Sequence, residues 1–474
     1  MWPAPVLELL AAGGDRPVFE DGGRVVTAEQ MYSLIRRIAA GLREGGIGPG
    51  CGVALRLGVN ASAFAAVIAA FTVGARVSGL PPGLTRGQLA HLLERDDAVL
   101  IDDATVAGLA DHPAGPLFTA GRAEDVARII YTSGSTGNPK GCAQTYEAMS
   151  AAWAAQPHLW PPAIAELARR LDRYLVFGSL TSQVMLEYGI LTLAAGGTLV
   201  AAHPPSFPEA IVGHRATASV ITVGKLHQLV RAQQLNPVDL SSLKALMVSG
   251  SPLEPGRLRE ALDVLGPVIF HGYGQTETGM ISMAVPGDPL DSVGRPPAVT
   301  SLRFHDGELY VRTPAQAGFY WQDPEGSARV FVDGWVRTRD LAGLGEDGCL
   351  RLLGRARDVI IVQATLVYAG PVERVLATDS SVAEAYVIGR PDDETGEAIH
   401  AYVVPVTGRT PDPAMLRDLV AAHLGASAAP KSVTVIDRVP LAPSGKPDKA
   451  ALATDDRLNR RWPGTRAPSA QRTV

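Results

Sequence analysis

Cysteine is scarce in this chain: Cys51, Cys142 and Cys349 are the three in 474 residues. Spaced so widely, they form neither a disulfide framework nor a metal knuckle. That sets aside stapled secreted scaffolds and makes a reducing cytoplasm the default setting. The ten histidines contain no H-x-x-x-H pair or metal-like cluster, so each is read first as packing or surface. Long apolar runs are lacking too. Stretches such as residues 64–71 fall short of the ~20 residues that cross a bilayer, and residues 1–10 lack the charged start and apolar core of a secretory signal. Neither sign of charge dominates, the formal net charge being −5. With no basic run before the last twenty residues, neither nucleic acid nor a membrane is expected as a partner. No internal repeat is visible.

What remains is an ordinary globular composition, 46% hydrophobic and 19% charged, in a chain long enough for two or three domains. Residues 29–44 carry a helical apolar rhythm (Met31, Leu34, Ile38, Leu42) closed by Gly45 and Gly46, and residues 52–57 read as a strand. Residues 61–71 read as a helix and 98–101 as a buried strand. Strands at 127–131, 174–177, 198–202, 219–222 and 245–248 then alternate with helices at 146–155, 185–193, 225–232 and 257–264. Such alternation predicts βαβ units around largely parallel sheets. From residue 299 short strands with polar turns take over, at 301–304, 308–312, 334–338 and 349–353, which predicts a small β module over 299–354. After Gly354 the texture changes. Strands at 359–362, 365–368, 382–387, 400–404 and 432–436, with helices at 371–377 and 413–423, read as a compact α+β domain. The fold class expected is thus α/β, with a large N-terminal domain at 1–354 and a small α+β domain at 359–454. Residues 455–474, rich in Arg, Pro and Ser, read as a loose tail.

The most telling segment is Tyr131-Thr132-Ser133-Gly134-Ser135-Thr136-Gly137-Asn138-Pro139-Lys140-Gly141, which follows a strand and is read as preceding a helical stretch. Four Ser/Thr hydroxyls, three glycines and a lysine are what a polyphosphate needs. Glycines let backbone N–H groups approach, hydroxyls donate neutral hydrogen bonds, and Lys140 supplies a mobile cation. It is not a Walker A loop, because Pro139 stands where glycine precedes the lysine and Gly141 follows in place of Ser or Thr. That excludes a P-loop phosphotransferase. No G-x-G-x-x-G follows the first strand, so a dinucleotide fold has no support.

The loop resembles the signature of the adenylate-forming ligases: acyl-CoA synthetases, peptide-synthetase adenylation domains and luciferases. Distant segments carry the resemblance further. Gly272-Tyr273-Gly274-Gln275-Thr276-Glu277 is similar to the family's second core motif, and Ser249-Gly250-Ser251-Pro252-Leu253 to its segment beside adenine. GFYWQDPE at 318–325 is similar to the family's stretch ahead of the small β module. Trp335-Val336-Arg337-Thr338-Arg339-Asp340 resembles W-x-R-T-G-D, Gly354-Arg355-Ala356-Arg357-Asp358 the hinge, and Pro440-Leu441-Ala442-Pro443-Ser444-Gly445-Lys446-Pro447-Asp448 the loop of the catalytic lysine.

The resemblance implies a division of labour. Thr132, Ser133, Ser135, Thr136 and Lys140 hold the ATP phosphates. Gly250, Ser251, Pro252, Gly272, Tyr273 and Gly274 surround adenine, with Tyr273 stacking on it. His271 would lie beside adenine, or else is a packed histidine. Thr276 bonds phosphate, and Glu277 offers a hard oxygen to Mg²⁺. Asp340 accepts from the ribose hydroxyls, which Arg355 also contacts. Lys446 stabilises charge as pyrophosphate leaves. Residues 355–358 act as the hinge of a mobile C-terminal domain, with Arg357 at the hinge position. Thr181, Ser182 and Gly272 line the pocket for a small acid.

Departures from the family pattern bear on the second half-reaction. Gln363 and Ala364 stand where a glycine pair lets pantetheine pass, Ala369 replaces a proline and Pro371 a glutamate, so CoA as acceptor is left open. Thr181 stands near the usual gating histidine, and such a wall suits a polar or aromatic acid as well as it suits a repacked helix. Arg339 replaces glycine beside Asp340. The chain is short between residues 101 and 127. Three readings follow: an AMP-forming ligase passing its acid to CoA or a carrier-protein thiol, a relative whose intermediate meets an amine (an amide synthetase, or a diazotase activating nitrite), and a silent nucleotide-binding copy. The last has no need of Lys446.

Overall fold

The computed structural model describes residues 1–80, 84–132, 140–202, 206–250, 253–356, 358–362, 365–441 and 447–454. The chain divides into two compact units, one of Met1–Thr338 with Gly343–Arg351, the other of Arg339–Ala342 with the residues from Leu352 on.

The first unit is built on two mixed sheets. In the eight-stranded sheet the strands run in the order Gly279–Ala284, Ile269–Gln275, Ala245–Ser249, Ala218–Thr222, Arg173–Val176, Thr198–Ala201, Pro17–Asp21, Arg24–Thr27. The interior pairs are parallel, and only the outermost pair at each end is antiparallel. In the six-stranded sheet the order is Phe319–Tyr320, Lys140–Thr145, Val126–Thr132, Arg76–Gly79, Gly52–Arg56, Ala98–Asp102. Its first two pairs are antiparallel and the other three parallel.

Local chemistry explains the helices. Ala28–Glu44 starts at a reciprocal Thr27/Gln30 capping box and buries Met31, Ile35, Ile38 and Leu42 on one face. Ala61–Thr72 is capped by Asn60 and buried from Ala63 to Thr72, its alanines letting it lie in the core on every side. Tyr146 pins the end of that helix. Fully buried, it donates its hydroxyl to the carbonyls of Phe71 and Ala75, at 3.1 and 2.8 Å.

Three readings of local structure need correction. The phosphate-loop segment is followed by the strand Lys140–Thr145, antiparallel to Val126–Thr132, and leads into no helix directly. The helix read over 146–155 is only Tyr146–Ser150, because the Gln156 amide donates to the carbonyls of Ser150 and Ala152 and satisfies the helix end there. The strand at Ala98–Asp102 is not buried. It lies at the sheet edge with Val99 53% exposed.

Strands Ser301–His305, Glu308–Arg312, Trp335–Leu344 and Phe331–Val332 form a further sheet, and Leu350–Arg355 pairs with Trp335–Leu344. In the second unit the strands run Thr365–Tyr368, Val359–Val362, Gly396–Pro405, Val382–Asp392, with Ser432–Val435 parallel to Gly396–Pro405. Helices Ala369–Ala377 and Pro413–Leu424 share its core through Val372, Leu376, Leu416 and Val420. Among the described residues no helix is long and apolar enough to cross a membrane, and the three cysteines are free thiols.

Candidate active site

In the first unit the site is organised by the hairpin between Ile269–Gln275 and Gly279–Ala284. Its register shifts between Tyr273 and Gly274, and the turn closes with Gln275 opposite Gly279. Thr276 and Glu277 occupy that turn. The Gln275 N–H donates to Thr278 Oγ1 at 3.0 Å, Thr278 Oγ1 to the Gly279 carbonyl at 2.8 Å, and Thr313 Oγ1 to the Thr278 carbonyl at 2.7 Å. Gly274 is required sterically. A Cβ there would lie 2.3 Å from the Gly279 carbonyl oxygen, and Gly279 itself has φ +68°.

Glu277 is held by two bonds to one segment. Its carbonyl accepts from the Ala317 N–H at 2.9 Å, and its Oε1 accepts from the Tyr320 hydroxyl at 2.6 Å. Lys140 opens the strand that pairs with Tyr320. Its ammonium lies 3.1 Å from Asp323 Oδ2 and 4.8 Å from the centre of the Tyr320 ring. The Gly326 N–H, and after it Lys140, hold the Asp323 carboxyl below its ordinary range. A Cβ on Gly326 would meet Asp323 Oδ2 at 2.0 Å and Lys140 Nζ at 2.7 Å, so this glycine also keeps space for the pair.

His271 and Tyr273 are both buried. The His271 Nδ1 has no hydrogen-bond partner among the described residues, and burial holds its pKa down at about 4, so the ring is neutral at neutral pH. It lines a shallow cleft with Leu258, Leu262, Ala284 and Leu290. A Cβ on Gly272 would meet Met283 Cε at 3.8 Å and the Tyr188 hydroxyl at 3.9 Å, ordinary contacts. Gly250 follows strand Ala245–Ser249 with φ +97°.

The two hydroxyls read as pocket wall are engaged locally. Thr181 Oγ1 and Ser179 Oγ are 2.8 Å apart, and the Ser182 hydroxyl accepts from the Met185 N–H at the start of helix Gln183–Ala194. Thr181 packs on strand Arg76–Gly79, where a Cβ on Gly79 would come within 2.4 Å of Thr181 Oγ1. Ser133, Ser135, Thr136, Ser251, Pro252, Arg357, Gln363, Ala364 and Lys446 lie outside the described residues, as does the side chain of Thr132.

In the second unit Asp340 is buried, and its Oδ1 lies 2.9 Å from Arg355 Nε. Arg339 beside it has φ +59°, in the left-handed region. The family's glycine at this place enters that region without strain, whereas an arginine does not. Lys449 is clamped between Asp358 and Glu373, at 3.0 and 2.7 Å. Sequence reasoning passed over Tyr320, Asp323 and this clamp. The signal for the first two was present in the GFYWQDPE stretch, which supplies an aromatic and a carboxylate next to the loop lysine.

The hairpin sets a carboxylate near the strand that begins with Lys140, and comparison with known proteins shows the family to which such a chain belongs. Residues 8–108 and 103–321 match the family described as AMP-binding enzyme, and residues 371–446 match the AMP-binding enzyme C-terminal domain. The chain belongs to that family and is an ATP-dependent, AMP-forming ligase. It is similar to a medium/long-chain-fatty-acid–CoA ligase of Mycobacterium tuberculosis, 32% identical over 404 residues, which covers 80% of this chain and 69% of that one. The feruloyl-CoA synthase of an Amycolatopsis species is 31% identical over 463 residues, 90% of this chain and 93% of the relative. Among solved structures, the amide bond synthetase McbA from Marinactinospora thermotolerans superposes with a TM-score of 0.83 at 32% identity, over 95% of this chain and 99% of that one.

Two outcomes follow from the geometry. Gly274→Ala forces the hairpin open, so it should lose about 1–3 kcal/mol in urea unfolding and weaken ATP binding measured by calorimetry. Arg339→Gly relieves left-handed strain and should raise stability by about 0.5–1 kcal/mol in the same assay. An unchanged or lower midpoint would show that Arg339 makes compensating contacts.

Proposed function

We propose that this chain activates a small acid, polar or aromatic, as its mixed anhydride with AMP and passes the acyl group to a thiol, of CoA or a carrier protein, in a reducing cytoplasm. The observation that carries the reading is the convergence of Lys140 and Glu277 on Tyr320, which sets a cation suited to phosphate beside a carboxylate suited to Mg²⁺. A carboxylate oxygen of the substrate attacks the α-phosphorus of ATP in line. The bond to the bridging oxygen of the β-phosphate breaks, and pyrophosphate leaves with its electron pair. Lys140 and the hydroxyls of Thr132, Ser133, Ser135 and Thr136 hold the phosphates. Tyr273, with Gly250, Ser251, Pro252, His271, Gly272 and Gly274, receives adenine, and Asp340 and Arg355 receive the ribose. Thr276 bonds phosphate, and Lys446 offsets the charge that develops on the departing oxygens.

Magnesium fits the donors present. Among the described residues no three His, Cys, Asp or Glu gather into a cage. A single carboxylate, Glu277, suits a cation that keeps its waters and takes phosphate oxygens for the rest of its shell. Bound there, Mg²⁺ would supply charge neutralisation for the phosphates.

A second reading has an amine as acceptor. It is favoured by Gln363 and Ala364, which stand in the sequence where the family's glycine pair lets pantetheine pass, and by the likeness to an amide bond synthetase. The two are separated by incubating the protein with ATP, Mg²⁺ and a panel of aryl and polar acids, with CoA, amines or nitrite, and weighing the products. A thioester formed only with CoA selects the first reading; an amide without CoA selects the second. Lys446→Ala should lower acid-dependent pyrophosphate release by about 100-fold or more while ATP still binds. Release at the parent rate in that variant would sink the assignment of Lys446.

A further inference from the structure

Tyr320 lies in the two-residue strand Phe319–Tyr320, at the edge of the six-stranded sheet, where it could be taken for no more than a packed aromatic. Its surroundings say otherwise. It is paired with Cys142, so the two side chains share a face of the sheet. Lys140, two residues earlier on the same strand, falls on that face as well. This register brings the lysine ammonium over the ring. The ring itself has little freedom. The Tyr320 N–H donates to Ser327 Oγ at 2.9 Å, and the ring meets Phe331 edge-on at 5.3 Å, with Cys142, Ala317 and Val330 packed around it.

The hydroxyl on this fixed ring ends 2.6 Å from Glu277 Oε1. Packing alone does not require that group, since phenylalanine supplies the same ring for Phe331 and for Lys140. What the hydroxyl adds is direction. A glutamate side chain at the tip of a turn has several rotamers open to it, and one short hydrogen bond to a charged acceptor selects among them. Because the bond uses Oε1, the carboxylate keeps its other oxygen to offer a cation. The main-chain bond from the Ala317 N–H to the Glu277 carbonyl ties the same residue to the same segment. Backbone and side chain of Glu277 are thus both referenced to residues 317–320.

We propose that Tyr320 is a positioning residue that couples the two charges of the site. Its ring face carries Lys140, its hydroxyl aims Glu277, and the spacing between the phosphate-side cation and the metal-side carboxylate is set by one rigid side chain. Asp323 completes the arrangement by holding Lys140 in place, with Gly326 leaving room for the pair. The inference rests on the reading that Glu277 serves Mg²⁺ and Lys140 serves phosphate.

The test is the factor by which Mg²⁺ tightens ATP binding to the full chain, measured by calorimetry with Mg²⁺ and again with EDTA. Tyr320→Phe should reduce that factor about tenfold while the metal-free affinity stays within about twofold of the parent, because only the hydroxyl is lost. Phe331→Leu, which loosens the ring's packing and leaves the hydroxyl, should lower the thermal midpoint without moving the factor. Glu277→Gln separates the two levels of the argument. If it leaves the factor unchanged, Glu277 is not the metal's carboxylate and the underlying reading fails. If it collapses the factor and Tyr320→Phe does not, the reading stands and the role given to Tyr320 is overturned. Equal losses of metal-free and Mg²⁺-dependent affinity in Tyr320→Phe would likewise reduce Tyr320 to a packing residue.

Discussion

At Gly274 the chain passes so near the Gly279 carbonyl that a Cβ would lie 2.3 Å from its oxygen. This close approach is what lets the hairpin turn back within a few residues, with the register shift at Tyr273 absorbed on the way. Glu277 is placed relative to it. The turn projects Thr276 and Glu277 at its tip, the Thr278 hydroxyl seals it from within, and the Ala317 N–H ties it to the segment that carries Tyr320. A looser turn would leave the carboxylate at the end of a mobile loop, where ordering it would cost side-chain and backbone entropy at every binding event.

The ion pairs described in the two units are of different kinds. Lys140 and Asp323 are each about a third exposed, 28% and 34%. A pair that wet contributes little to stability, so giving up the carboxylate would cost the lysine little. Asp340 and Arg355 differ. The carboxylate is 6% exposed, and burying it without its guanidinium would be costly. The first pair is suited to trading partners and the second to holding a buried carboxylate in one orientation.

The α/β class was legible because the strands at Ala218–Thr222 and Ala245–Ser249 are short apolar runs separated by a helix with its own cap. The antiparallel ends of the sheets were not legible, because strand direction is a tertiary choice that periodicity does not encode. One exception went unread: Asp21-Gly22-Gly23-Arg24, with φ of +55° and +84° at the glycines, is a hairpin turn visible in the sequence. In the site, residue types that carry charge announced themselves, as Lys140 and Glu277 did. Tyr320 did not, since a two-residue strand has no period to read and its partners, at positions 140 and 277, are remote in sequence. Arg339 could be seen as a departure from glycine, but its left-handed backbone could be seen only in the fold.

The antiparallel pairing of Val126–Thr132 with Lys140–Thr145 has one more consequence. Phosphate loops that open a helix draw on its macrodipole, a fixed partial charge that the chain carries whatever the solvent. Here the loop returns along a strand, and strands sum to almost no dipole. On the proposed reading, the phosphates are therefore held by discrete charges and hydrogen-bond donors, with Lys140 among them. Mobile ions reach such a charge, with a Debye length of about 8 Å at physiological ionic strength. On that reading, the nucleotide's hold is tuned by the surrounding electrolyte as well as by the fold.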